Sequence, residues 1–165
     1  MTKIPYCTPE WLEAFAKAYR ANPKYEKDLK KLTSSVYFRV LAELKWGIDK
    51  DIIFGAVLEA GRLVKVEFIS AENAKKVATF ILSATPMEWK NILTKKSKFV
   101  TDFMLGKIKL DHGSKVGVLG IAPHSNTLVD ALTQAHRNVV YAVRDYSYFQ
   151  DEFALGIVNE YFERF

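Results

Sequence analysis

The sequence predicts an α+β fold, and three observations carry that prediction. Between residues 36 and 69, apolar and polar side chains alternate in three successive runs joined by short turns, the pattern of an antiparallel meander. At Thr8-Pro9-Glu10 and again at Thr85-Pro86, a good N-cap precedes a proline suited to the first helical position. Period-two alternation also occurs just before the second of these starts and again at residues 107–110, which brings the strands to five.

The elements follow in order. The first helix places Trp11, Leu12, Phe15 and Tyr19 on one face. Asn22-Pro23 stops it and restarts a charged helix through Leu32, packing through Tyr25, Leu29 and Leu32. After the turn Thr33-Ser34-Ser35, Val36, Phe38, Val40, Ala42 and Leu44 form one side of the clearest strand. A turn at 47–50 leads to a second strand, 52–60. Gly61 then leads to a third, 63–69, with Val64, Val66 and Phe68 inward. Ala78, Phe80 and Leu82 alternate with Thr79, Ile81 and Ser83 in a fourth strand, 76–83. Thr85 caps the next helix, Glu88 sits where a capping box wants a carboxylate, and Trp89, Ile92 and Leu93 make its apolar face. Lys95, Lys96 and Lys98 break the pattern. A further helix carries Phe99, Val100, Phe103 and Met104 on one side, and Gly106 ends it. Ile108 and Leu110 alternate with Lys107 and Lys109 in the fifth strand, 106–110. Ser114 caps a helix to Gly120, Ala122-Pro123 interrupts it, and Ser125 or Asn126 restarts it through Leu132. Finally Phe149, Phe153, Ile157, Tyr161 and Phe165 recur every four residues. They predict an amphipathic helix in a 135–165 extension that docks on the core, covers a cavity mouth or forms a homodimer interface.

Composition narrows the function classes. At 165 residues, 49% apolar and 13% aromatic, the chain is read as one folded domain, 1–165, and not as a disordered segment. One cysteine, Cys7, permits no internal disulfide and points to a reduced setting; with no signal-like or membrane-spanning run, a cytoplasmic protein is expected. The net charge of +5 is uneven: residues 75–115 hold nine lysines, whereas 137–165 hold three arginines against five carboxylates. Nucleic acid binding by the basic stretch would need exposed aromatics among the lysines. Trp89 and Phe99 fall on apolar faces instead, so no nucleic-acid partner is expected.

Catalytic patterns are missing. His112, His124 and His136 are spaced too widely to share a helix turn, and no cluster completes a metal site. Ser125 lacks a nucleophile elbow, Gly113 to Gly120 lacks the order of a phosphate loop, and no pair of carboxylates stands out. The glycines there read as close-packing positions. The chain is read as a binder without catalytic residues, metal or cofactor, not an enzyme.

One stretch carries a family pattern: a strand, a short helix bearing Trp89, a second helix ending in Phe103-Met104-Leu105-Gly106, and a strand opening Lys107-Ile108-Lys109. It resembles the sterol carrier protein type 2 family of non-specific lipid-transfer domains over about residues 35–132. Where that family usually has a basic residue and then glycine, this chain has Asp111, His112 and Gly113. The resemblance implies a five-stranded antiparallel sheet covered on one face by helices, with the N- and C-terminal helices as additions. It makes 71–75 a loop, although those residues have helical propensity. It also implies a tunnel between sheet and helices that takes a fatty acid, acyl-CoA or sterol-like lipid.

On this reading the ligand-binding residues are Phe80, Leu82, Phe99, Val100, Phe103, Met104, Ile108, Leu119, Leu128 and Leu132. Lys95, Lys96 and Lys98 would meet an anionic head group or, transiently, an anionic membrane. The competing expectation is a dimerisation or partner-docking module whose interior is filled.

Overall fold

The structure is a computed structural model that describes residues 4–5, 8–134 and 139–140. Cys7, His136 and the apolar pattern at 149–165 lie outside the described residues. Helix α1 (Pro9–Ala21) starts where Thr8 Oγ1 accepts from the Trp11 N–H, and it buries the predicted face. Asn22 caps the next helix, α2 (Pro23–Asp28), through its side chain. That helix is shorter than predicted, yet Leu29 and Leu32 are buried in the turn beyond it.

Five strands build the sheet in the order β4-β3-β2-β5-β6: β2 (Ser34–Val40), β3 (Ile52–Glu59), β4 (Arg62–Phe68), β5 (Phe80–Ala84) and β6 (Lys109–His112). The sheet is mixed, which corrects the antiparallel expectation. β2–β3, β3–β4 and β5–β6 are antiparallel, but β5 lies parallel to β2, pairing Val36 with Phe80 and Val40 with Ala84. The meander stops at the edge strand β4, and the chain must cross β3 and β2 to reach its next place. Parallel neighbours need a crossover of about a dozen residues, usually with a helix in it.

That crossover contains α3 (Ala71–Val77), where a loop was expected. Ser70 Oγ accepts from the Asn73 N–H at 3.2 Å, and the local propensity prevails. α3 also places helix on the second face of the sheet. Ala74 packs there with Tyr37, Ile53 and Ile81, the alternate residues of β2, β3 and β5. The other helices lie on the first face, over Val36, Phe38, Phe54 and Leu82. The one-face expectation therefore holds for the main layer and not for α3.

Tyr37 explains a cross-strand detail. It pairs with Gly55, which pairs with Glu67. A Cβ at Gly55 would lie 2.2 Å from Tyr37 Cδ1. Glycine therefore lets the ring lie across β3, and Tyr37 Oη donates to Glu67 Oε1 at 2.7 Å on the strand beyond.

Strand limits shift where side chains compete for the backbone. β2 ends at Val40, because Asp51 Oδ1 takes the Ala42 N–H and a bridge from Glu43 to Ile48 turns the chain. Leu44, predicted inward, is 78% exposed. In β4, Val57 pairs with Lys65 and Leu58 with Leu63, so Val64 is the extra residue of a bulge. Val64 is consequently exposed, and Leu63 takes the buried place. The fourth and fifth strands begin later than predicted. The backbone carbonyl of Asp102 holds the N–H groups of Lys107 and Ile108 before β6 can pair.

The helices after β5 are α4 (Pro86–Leu93), α5 (Phe99–Met104), α6 (Lys115–Ile121) and α7 (Ser125–Gln134). A Cβ at Gly117 in α6 would lie 2.8 Å from the Phe80 ring, as the close-packing reading requires; Gly120 meets nothing comparable. α7 packs against α1, α2 and α4. Apart from the main sheet, β1 (Ile4–Pro5) pairs in parallel with β7 (Val139–Val140).

Candidate functional site

An apolar cavity lies between the first face of the sheet and the main helical layer. Its floor is Val36 and Phe38 from β2, Phe54 from β3 and Leu82 from β5. Trp89, Ile92 and Leu93 from α4 and Phe99 from α5 form a wall, and Trp11 of α1 closes one end. Ile121, Leu128, Val129 and Leu132 make the roof, with Ser125 beside them. Two polar atoms of the lining residues are engaged elsewhere: Ser125 Oγ donates to the Ala122 carbonyl, and Trp89 Nε1 donates to the Arg39 carbonyl. Edge-on contacts brace the aromatic walls, Phe38 on Trp89 and Trp11 on Phe54. An apolar cavity of this kind stays dry, since water needs polar partners.

Its size is decisive. The free space is about 50 Å³. Pockets for small molecules run to about 300–1,000 Å³. As it stands the cavity is a gap in a core. It can admit a long chain only if a wall moves, and the roof side chains Leu128, Val129 and Leu132 are only half-buried.

A second hollow of about 310 Å³ adjoins the first and shares Ile92, Phe99 and Val129 with it. Its remaining lining is polar: Lys95, Ser97, Lys98, Asn126 and Asp130. Lys95 Nζ meets Asp130 Oδ1 at 2.5 Å, tying the turn after α4 to α7. That turn is a Schellman motif. The Lys96 N–H donates to the Asn91 carbonyl and the Lys95 N–H to the Ile92 carbonyl. Lys95 occupies the left-handed position, with φ of 63°, where glycine is usual.

The predicted residues divide between the cavity wall and its surroundings. Leu82, Phe99, Leu128 and Leu132 line the apolar cavity. Phe80 is buried under Gly117, Phe103 stacks behind Phe99 at 6.1 Å, and Ile108 is buried in the core; none of the three lines it. Val100 is half-buried off the cavity, while Met104 and Leu119 are exposed. α5 has only six residues, so turning Phe99 inward turns Met104 outward. Lys95 and Lys98 line the polar hollow; Lys96 is exposed outside it. Trp11, Phe38 and Phe54 were not named as lining residues. Their inward phase on predicted elements was a usable signal, but their distance in sequence from 78–132 hid it.

A pair of carboxylates also escaped the sequence. Glu88 was placed in a capping box, yet only its N–H serves the cap, donating to Thr85 Oγ1 at 3.2 Å. Its side chain is buried beside Asp102 of α5, which is buried too. Burial, then the hydrogen bond and charge of Asp102, push Glu88 up to about 7, with Lys107 opposing. Neither acid lines the apolar cavity. Among the described residues, no group of three or more His, Cys, Asp or Glu could hold a metal ion, and no helix is long and apolar enough to cross a membrane.

The fold has counterparts among solved structures. A protein of Thermus thermophilus described as a conserved hypothetical protein and a sterol carrier candidate superposes with a TM-score of 0.69 at 20% identity, over 78% of this chain and 88% of that one. A crystal structure of sterol carrier protein 2 superposes with a TM-score of 0.65 at 19% identity, over 81% and 98%. The fold is that of sterol carrier protein 2. No family model matches the sequence, and no curated protein matches it. At this identity the likeness establishes the sterol-carrier fold alone, with its mixed five-stranded sheet and helical layer.

Proposed function

We propose that this protein is a non-catalytic lipid carrier that takes a long acyl chain, as a fatty acid or acyl-CoA, between its sheet and its helices. The observation that carries the reading is the apolar cavity between sheet and helices, walled by Phe38, Phe54, Leu82, Trp89 and Phe99. Each methylene moved from water into such a space is worth about 0.8 kcal/mol, so a chain binds through burial alone and specificity is broad. The chain enters by displacing α7, whose half-buried roof residues lose little when replaced by ligand. Nothing on the walls selects a rigid ring system over a flexible chain. Lys95 and Lys98 hold the anionic head, and with Lys96 they meet anionic membranes transiently.

Native mass spectrometry of protein purified from cells, followed by lipid extraction, tests this. Bound acyl lipid near one per chain supports it, and Leu128→Trp, which fills the roof, then lowers the loading. A clean apo mass with no uptake of a fluorescent fatty acid overturns it. The small free volume favours a second reading, a docking or dimerisation module with a filled core, which predicts that second result and self-association or a protein partner.

A further inference from the structure

The ion pair at the mouth raises a question that the carrier reading does not answer. Lys95 lines the polar hollow beside the apolar cavity, and Asp130 of the roof helix already neutralises it. Both side chains remain about half exposed, at 58% and 45%, so the pair is open to exchange. Lys95 also holds a left-handed backbone position that favours glycine. A non-glycine residue there is strained and persists where the surrounding structure holds it. Ser97, Lys98 and Asn126 add polar groups around the same hollow, which adjoins the apolar cavity and shares Ile92, Phe99 and Val129 with it.

We infer that Asp130 is a built-in competitor for the ligand's anionic head and that its pair with Lys95 latches α7 over the cavity until a ligand breaks it. This rests on the carrier reading and deepens it. In the unliganded protein the Asp130 carboxylate occupies Lys95 and pins α7 over the cavity. A ligand carboxylate or phosphate takes Lys95 in its place. The exchange swaps one anion for another, so no charge is left unpaired at Lys95, and it frees α7 at the moment the chain needs the space. A neutral lipid gains the same burial and opens the same latch but makes no new pair with Lys95. Asp130 thereby lowers affinity for every ligand, and Lys95 returns that cost only to ligands that carry an anion.

The test compares a fluorescent long-chain fatty acid with its methyl ester on the full chain. Three proteins suffice: the natural sequence, Asp130→Asn and Lys95→Gly. Lys95→Gly suits the left-handed turn, so it keeps the fold while removing the cation. Exposed ion pairs are worth up to about 1 kcal/mol, so changes of about two- to fivefold are expected. Lys95→Gly should tighten the ester by that factor, because the latch is gone, and should not tighten the acid, which loses its cation in the same change. Asp130→Asn should tighten both ligands, the acid at least as much as the ester, because the freed carboxylate no longer repels the acid's head. If both variants move acid and ester equally, α7 packing alone is at work and the exchange is wrong. If neither variant moves either ligand, the ion pair is a surface ornament and the inference falls while the carrier reading stands. Absence of binding by both ligands to all three proteins overturns the carrier reading and this inference with it.

Discussion

The two faces of the central sheet are built from adjacent residues of the same strands, yet they differ in kind. On one face Tyr37, Ile53, Ile81 and Ala74 close tightly under a single short helix, with the Tyr37 ring filling the room that Gly55 leaves. On the other, large aromatic side chains meet a layer of several helices and leave a dry gap. Flat rings braced edge-on keep a space open because they cannot fold into it. On the second face one short helix packs over Tyr37, Ile53 and Ile81. The first face, with its gap, is the one that can accept a guest.

Ile81 and Leu82 put that contrast to its strongest test. They are neighbours on β5, 2% and 1% exposed, and point to opposite faces. Truncating either to alanine should cost about 2–5 kcal/mol in denaturant unfolding. Only Leu82→Ala should increase uptake of a fluorescent fatty acid, because only it enlarges the cavity. Equal uptake in both variants would erase the distinction between the faces.

Gly55→Ala attacks the tight face alone. Its Cβ would meet the Tyr37 ring, so overpacking of about 1–3 kcal/mol is expected, with ligand uptake unchanged in protein that remains folded.

The acid pair behind the loose face gives a pH test. Glu88 has a folded value of about 7 against an ordinary value of 4.5. The folded state therefore holds the proton more tightly than the unfolded chain. Its contribution is full below the unfolded value and lost as pH rises through about 7. Thermal stability should fall between about pH 5 and 8, by on the order of 1 kcal/mol, and Glu88→Gln should flatten that fall. An unchanged slope in the variant would assign the pH dependence to other groups.

The smallest effect concerns the sheet edge. Arg20 Nη2 donates to the Leu63 and Val64 carbonyls at 3.0 and 3.3 Å, covering β4 from α1. Arg20→Met should cost about 1 kcal/mol and raise self-association in light scattering, since an uncovered edge is a template for pairing.

Much of this plan is legible in the residues. Thr8, Asn22, Ser70, Thr85 and Ser114 each cap a helix, because capping is settled within three residues by a side-chain oxygen and a nearby N–H. Helical propensity at 71–75 and alternation in the meander are equally local, and the loop expected at 71–75 failed by setting that local evidence aside. Burial within the meander was less legible. The bulge at Val64 reverses the alternation it interrupts, and Leu44 was lost to a turn held by Asp51.

By itself the sequence determined what forms locally: most of the helix and strand segments, the caps that start the helices, and a generous supply of aromatic side chains. Only the tertiary structure decided that β5 runs parallel to β2, that Glu88 meets Asp102, that Trp11 and Phe54 share a cavity with Leu128, and that Asp130 holds Lys95. Each of these joins residues far apart in the chain. Their meeting depends on how elements cross and pack, and short-range periodicity carries no record of that.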